Sequence, residues 1–242
     1  MKIIKYKKKT DGKYEIILEN NDKINLYEDI ILKEDLLWKK EIDDIESLLL
    51  ANHDYEIYDV AYKYLNHHVT SIAGMQNYLE RKGYFKDKID FVIHKLVQKN
   101  LLNDEYYAKC YITNQIKLSN DGPKKIISHL EKENIASDIY LQFLDLNSSI
   151  WEERITKYLE KQLHINKKSE YLFHNKMMIN LINLGYDKEV IESQLNKVHV
   201  NNQENLKEIE EKKLRIKLAR KYQNEELERK IREKLTAKGF FE

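Results

Sequence analysis

The pattern of apolar and polar positions changes about fifty residues into the chain. In the first part, apolar and polar side chains alternate, and turn dipeptides at Asp11 and Asn21 interrupt the alternation. A period of two is typical of strands with one buried face, so the sequence predicts three short antiparallel strands, at about 2–9, 13–19 and 23–28. We expect the sheet to pack on the following helix through five side chains: Tyr14, Ile16, Leu18, Ile24 and Leu26.

From about Asp54 onward, apolar side chains recur at the three- and four-residue spacing of amphipathic helices. Two such stripes are Ile57, Val60, Ala61, Tyr64 and Leu65, and then Ile89, Val92, Ile93, Leu96 and Val97. Between them, Thr70 or Ser71 can cap a helix that ends at Gly83, because glycine readily adopts the left-handed conformation that follows a helix.

A short pattern recurs along the helical part: Leu, then Gly or Asn four residues later, then a large apolar residue. The turn residues are Gly83, Asn134, Gly185 and Gly239, spaced 51, 51 and 54 residues apart. We interpret each as the corner between the second and third helices of a repeated unit. The predicted fold is therefore mainly α, with tandem three-helix repeats forming an elongated curved solenoid and a small N-terminal antiparallel β-sheet.

This period divides the chain into five segments. They are 1–53, a β-meander with a connecting helix; 54–102, 103–147 and 148–200, three-helix repeats 1 to 3; and 201–242, a partial repeat 4 of two helices ending at Phe240 and Phe241. In repeat 2, Asn103 or Asp104 can cap the first helix, and Pro123 suits the first position of the second. The stripes predicted to be buried in repeats 2 and 3 include Tyr107, Ala108, Tyr111 and Ile112, then Ile155, Tyr158 and Leu159, then Met177, Met178, Leu181 and Ile182, then Val190, Ile191 and Leu195.

Composition narrows the range of functions. The chain has 242 residues, of which 34% are charged, and its net charge of +1 makes the whole molecule neither a polyanion binder nor an acidic mimic. Any charge-driven binding must come from a local patch. Cys110 has no disulfide partner, and no apolar run reaches membrane-spanning length, so we expect a soluble, cytoplasmic protein. The eight histidines lack zinc-ligand spacing and no catalytic motif is present, so we predict a protein that is not an enzyme and has no cofactor or metal.

The segments LLNDEYYAKCYI and NDGPKKIISHLEKENI resemble the signature region of the RecX family, cytosolic regulators of the RecA recombinase. The matching positions are Asp104, Tyr107, Ala108, Gly122, Pro123, Lys125, Ile126, Leu130 and Ile135. The resemblance extends over about 55–242, with Asn100 and Asn134 where glycine is usual and Gly74 in place of an acidic residue. It implies a monomeric regulator in DNA repair, homologous recombination and the SOS response. Such a protein binds the RecA filament on single-stranded DNA and restrains strand exchange and ATPase activity. The alternative is a helical-repeat module that binds single-stranded or duplex DNA directly.

Several cations are candidates for partner binding. Lys124 and Lys125 follow a helix N-terminus, where positive charge opposes the helix dipole, so an acid or phosphate of a partner would explain them. The alternative is two solvated lysines. The same two interpretations apply to the helix-end cations Arg81 and Lys82. The last repeat is rich in cations, among them Arg215, Arg220 and Lys221, for which ion pairs on the helix surface are the alternative. The N-terminal cluster Lys5, Lys7, Lys8 and Lys9 either contacts nucleic acid or protects a strand edge.

Overall fold

A computed structural model describes residues 1–10, 12–201 and 203–240. Its contacts divide the chain into two compact units, residues 1–107 and residues 108–242, and the boundary falls inside one helix. The predicted mainly α fold with a small N-terminal antiparallel sheet is confirmed. Phe241, predicted at the end of the last segment, lies outside the described residues.

The sheet contains three strands in the order β1-β2-β3: β1 Ile3–Lys8, β2 Lys13–Leu18 and β3 Lys23–Tyr27. Both pairs are antiparallel, and Tyr14 and Ile16 of β2 lie opposite Leu26 and Ile24 of β3. One face of the sheet is buried against the helices α1 Glu28–Lys33, α2 Leu36–Lys39 and α3 Ile45–Leu65. Its buried residues include Ile16, Leu18 and Leu26, while Tyr14 and Ile24 are half-buried against the same core.

Helix α3 spans the predicted boundary at residue 54: its first turns lie in the segment predicted to contain a connecting helix, and its later turns carry the predicted stripe that begins at Ile57. Asp44 caps it, since its carboxylate accepts the N–H groups of Glu46 and Ser47 at 3.0 and 3.1 Å. Within the first turns, a buried position carries the polar residue Asn52, which breaks the apolar stripe. The Asn52 side chain accepts the N–H of Tyr27 and donates to a carbonyl of β3, and so ties α3 to the sheet.

The rest of the first unit consists of α4 Ile72–Arg81 and α5 Lys86–Gln98, which pack with the second half of α3. Ser71, not Thr70, caps α4 by accepting the N–H of Gly74 at 2.8 Å. Helix α4 ends at Gly83, whose φ is +90°, and the N–H of the next residue returns to the carbonyl of Leu79. Val97 of the predicted α5 stripe is 40% exposed, because it lies at the edge of the contact.

The second unit takes in helix α6 Asp104–Leu118 from Ala108 onward, and seven further helices follow within the described residues. These are α7 Pro123–Lys132, α8 Ser137–Tyr140, α9 Ile150–His164, α10 Glu170–Asn183, α11 Lys188–Leu195, α12 Gln203–Leu218 and α13 Asn224–Ala237. The predicted turn residues Asn134, Gly185 and Gly239 all have positive φ. Asn103 caps α6 through the N–H of Tyr106. The prediction that Ile182 is buried was wrong: its side chain is 45% exposed at the margin of the α10 stripe.

Candidate partner interface

The start of α7 and the end of α10 meet backbone to backbone. The N–H of Gly122 donates to the carbonyl of Leu184 at 2.6 Å, and the N–H of Lys124 donates to the carbonyl of Gly185 at 3.0 Å. The free N–H groups of one helix start are thus paired with the free carbonyls of one helix end. The two helix dipoles also attract each other across this contact.

Glycine makes this approach possible on both sides. A Cβ on Gly122 would lie 2.7 Å from the carbonyl carbon of Gly185, and a Cβ on Gly185 would lie 2.5 Å from the nitrogen of Lys125. Pro123 occupies the first turn of α7, where its missing N–H costs nothing. Two glycines that the sequence analysis assigned to separate tasks, a helix start and a helix end, therefore form one contact.

A second contact of the same kind joins the start of α10 to the end of α13. The hydroxyl of Ser169 accepts the N–H of Leu172 and donates to the carbonyl of Lys238. A Cβ on Gly239 would lie 2.7 Å from the Cβ of Tyr171 and 2.8 Å from the hydroxyl of Ser169. The second helix of predicted repeat 2, α7, therefore begins against the end of α10, the second helix of repeat 3. In the same way, α10 begins against the end of α13, the second helix of repeat 4.

The signature residues of α6 and α7 are structural. Ala108, Ile126 and Leu130 are fully buried, and Tyr107 is half-buried. In the first unit, the carboxylate of Asp104 accepts the N–H of Ile72 at 2.8 Å, so it satisfies the first turn of α4. These signature positions therefore contribute to how the helices pack.

Lys124 and Lys125 both have acidic partners within the chain. The ammonium group of Lys124 lies 2.7 Å from the carboxylate of Asp187, and that of Lys125 lies 2.8 Å from Asp121. The hydrogen bond from Lys124 lowers the pKa of Asp187 below its ordinary value. The counter-charge that the sequence analysis sought in a partner is thus supplied by this chain, although the side chains of both lysines remain more than half exposed.

The remaining candidates fall into two groups. In the first unit, Arg81 donates to the carbonyl of Asn77 at 3.2 Å, and Lys82 lies 5.6 Å from the ring of Tyr78. Both are exposed ends of α4. Both cations lie at the C-terminal end of α4, where the helix dipole favours positive charge, so their position can be explained without a partner.

The cations of the last two helices differ among themselves. Arg215 pairs with Glu228 and Glu211, which raise its pKa, so the ion-pair interpretation holds for this residue. Arg220 and Lys221 are exposed between α12 and α13 and form no ion pair with any described residue. Arg220 and Lys221 share this property with Lys212 and Lys217 of α12, which also form no ion pair with a described residue.

Arg154 of α9 is a site residue that the sequence analysis missed. Its guanidinium donates to the carbonyls of Ile116, Ser119 and Asp121, the latter two at 2.9 and 3.1 Å, and its Nε donates to the hydroxyl of Tyr186 at 3.3 Å. Arg154 thus holds the segment that leads from α6 into the α7 start. The sequence did contain one signal for Arg154: it is an arginine next to a buried stripe, whereas most cations of this chain are lysines.

Tyr111 stacks on His129 with ring centroids 4.1 Å apart, which supports the packing role weighed for this tyrosine. Within the described ranges, no group of three or more His, Cys, Asp or Glu side chains could hold a metal ion. No helix in those ranges is long and apolar enough to cross a membrane.

The fold and the contacts between helix ends define a mainly helical protein with a small N-terminal antiparallel sheet. No protein-family model matches the chain. Three proteins named Regulatory protein RecX are each 26% identical to it. That of Lactobacillus gasseri aligns over 239 residues, covering 96% of this chain and 88% of the relative. Those of Halalkalibacterium halodurans and Bacillus subtilis cover 98% of this chain and 94% and 92% of the relatives.

Two solved structures agree with these relatives. A crystal structure of regulatory protein RecX superposes with a TM-score of 0.66 at 20% identity, covering 81% of this chain and 100% of that one. The structure of RecX from Lactobacillus salivarius gives 0.54 at 25% identity, covering 61% of this chain and 97% of that one. The first comparison shows the fold alone. Together with the named relatives, it confirms the predicted resemblance to the RecX family over nearly the whole chain.

Proposed function

We propose that the protein is a RecX-type regulator that binds the RecA recombinase filament on single-stranded DNA and lowers its strand-exchange and ATPase activities. The observation that best supports this proposal is the similarity to named RecX proteins over 96% of the chain, which includes both the sheet and the helical segments. The helix-end contacts of the second unit also fit, because stacked helices offer a broad surface for many weak contacts.

Lys124 and Lys125 are proposed to contact an acidic group or a phosphate of the filament. Their ion pairs with Asp187 and Asp121 do not prevent this, because exposed ion pairs contribute only about 0 to 1 kcal/mol. A partner can therefore replace the internal carboxylates at small cost. Arg220 and Lys221, which need not break an ion pair, are the next candidates.

A binding experiment with coated and bare DNA tests the proposal directly. Single-stranded DNA is immobilised either bare or coated with the cognate recombinase and a slowly hydrolysed nucleotide, and binding of the protein is measured on both surfaces. We expect clearly tighter binding to the coated DNA. Equal or weaker binding to the coated DNA would contradict filament recognition and support direct DNA binding.

The lysine pair is tested by neutralising it without introducing repulsion. Reversal of Lys124 and Lys125 to Glu would bring like charges close to Asp187 and Asp121 and lower the melting temperature, so Lys124→Gln with Lys125→Gln is the cleaner variant. We expect filament binding to weaken about tenfold, which corresponds to about 1.4 kcal/mol.

The matched control is Lys7→Gln in the N-terminal sheet, combined with Lys8→Gln. It removes the same charge, and we expect filament binding to change much less. If the Lys124 and Lys125 variant binds as the unaltered protein does, these lysines are solvated surface and the site lies elsewhere.

A further inference from the structure

A cleft of about 480 Å³ in the second unit carries charge of nearly one sign. Its cations are Lys117 of α6 and Arg154, Lys157 and Lys161 of α9, and Glu153 is the only carboxylate among the described residues that line it. The whole chain has a net charge of only +1, so this excess is local.

The lysines of the cleft have no acidic partner among the described residues. Lys117, Lys157 and Lys161 are exposed and form no ion pair with any described carboxylate, although Glu153 stands only four residues before Lys157. The lysines beside the α7 start, by contrast, each have an acid partner at 2.7 or 2.8 Å. The cleft therefore keeps a positive potential that other parts of the surface lose.

Arg154 strengthens this potential from a half-buried position. Its hydrogen-bond partners are three carbonyls and one tyrosine hydroxyl, and it also lies over the ring of Trp151; none of these groups carries a negative charge. These four bonds use four of about five N–H donors of a guanidinium. A partly desolvated positive charge with neutral partners attracts an anion more strongly than a fully solvated one.

We propose that this cleft binds the phosphate groups of a single-stranded nucleic acid. Lys157 and Lys161 lie one helical turn apart, about 6 Å along the axis, so each can contact a different phosphate of one strand. The half-buried ring of Tyr158 lines the same wall and offers a face for base stacking.

The dimensions favour one strand over a duplex. A cube of the cleft's volume has an edge of about 8 Å, which is too narrow to admit a duplex, since the major groove alone is about 12 Å wide. The polar side chains of Ser119, Asn120 and Gln162 add uncharged hydrogen-bonding groups to the lining. Contacts of this kind suit a phosphate backbone read without strong sequence preference.

The test is fluorescence anisotropy with a labelled oligothymidylate of about 16 nucleotides, measured without any recombinase over a series of salt concentrations. The logarithm of the binding constant falls linearly with the logarithm of the salt concentration, and each lost phosphate contact makes this slope shallower by about 0.7. The variant with Lys157→Ala and Lys161→Ala should therefore have a slope that is shallower by about 1.4. At about 0.1 M salt this corresponds to binding about 25-fold weaker. Because the recombinase is absent, the result is independent of the proposed filament binding.

Two controls make the test specific. Lys132→Ala with Lys176→Ala removes the same charge from exposed lysines of the second unit that lie outside the cleft and form no ion pair with a described residue, and we expect less than a twofold change. Lys157→Arg with Lys161→Arg keeps the charge and should keep the affinity. Circular dichroism melting checks that the variants are folded.

The outcomes separate the alternatives. An undetectable affinity of the unaltered protein, or an equal loss in the Lys132 and Lys176 control, would overturn the proposal. Polyglutamate is added as a competitor at matched total charge, and we expect it to compete poorly. If it displaces the oligothymidylate as well as unlabelled oligothymidylate does, the cleft recognises acidic chains in general, and the nucleic-acid assignment is wrong.

Discussion

Replacing Gly185 with alanine should destabilise the protein much more than the same change at Gly83. Both glycines end a helix with nearly the same backbone angle, φ +89° at Gly185 and +90° at Gly83. They differ in surroundings: a Cβ on Gly83 meets nothing within 4 Å, whereas a Cβ on Gly185 lies 2.5 Å from the nitrogen of Lys125. Comparing the two variants therefore separates two losses of unfolding free energy, one from the backbone angle and one from the contact between the helices.

The magnitudes follow from these two costs. Left-handed backbone costs an alanine about 1 to 2 kcal/mol, which is all that Gly83→Ala should lose. At Gly185 the added carbon also forces α7 and α10 apart, because a backbone nitrogen cannot turn away as a flexible side chain can. The N–H groups of Gly122 and Lys124 then lose their carbonyl partners, at about 1 kcal/mol each. We expect Gly185→Ala to lose about 3 to 4 kcal/mol in total.

Urea unfolding and hydrogen exchange measure this difference. Trp151 is 4% exposed, so its fluorescence reports unfolding in the second unit, and circular dichroism follows the whole chain. In Gly185→Ala, the amides of Gly122 and Lys124 should exchange faster even under native conditions. Those two amides should be unaffected in Gly83→Ala. Equal losses of stability in the two variants, with both amides still protected, would refute the backbone contact as the reason for Gly185.

The remaining predictions concern single side chains of the second unit. Arg154→Met should lower the melting temperature and weaken protection of the segment before α7, because it leaves three carbonyls without a donor; hydrogen exchange measures this. Ser169→Ala removes the cap of α10 and its bond to the α13 end, and should cost about 1 to 2 kcal/mol in urea unfolding. Lys238 lowers the pKa of Glu210, so this pair stabilises the fold above the ordinary glutamate pKa of 4.5 and the effect is lost as the pH falls. Glu210→Gln should therefore melt lower than the unaltered protein at neutral pH and match it in acid.

Local signals predicted the elements well. Alternation located all three strands within one or two residues, and the turn residues at the helix corners have the positive φ that their chemistry predicts. Strands and helix corners are determined by residues that lie close together in the sequence, so the pattern along the chain is enough to predict them. The pattern did not predict that the connecting helix and the first helix of repeat 1 form the single helix α3, because Asn52 is buried against β3 and a polar residue in a stripe resembles an exposed position.

Contacts between distant residues were not predictable from the pattern. Lys124 faces Asp187, which lies in another segment, and Arg154 reaches carbonyls more than thirty residues earlier in the chain. When Lys124 is considered only with its own helix, no counter-charge is near it, and a partner is then expected to supply one. The cleft of α6 and α9 was missed for the same reason, because its cations come together only when the two helices pack.

The most direct test of the regulatory function is the single-stranded-DNA-dependent ATPase rate of the cognate recombinase, measured as the protein is added to preformed filaments. We expect the rate to fall to a low plateau as the protein saturates the filament. The variant with Lys124→Gln and Lys125→Gln should need about tenfold more protein to reach that plateau. An ATPase rate that stays constant at saturating protein, on filaments verified to be intact, would contradict the proposed regulation of the recombinase.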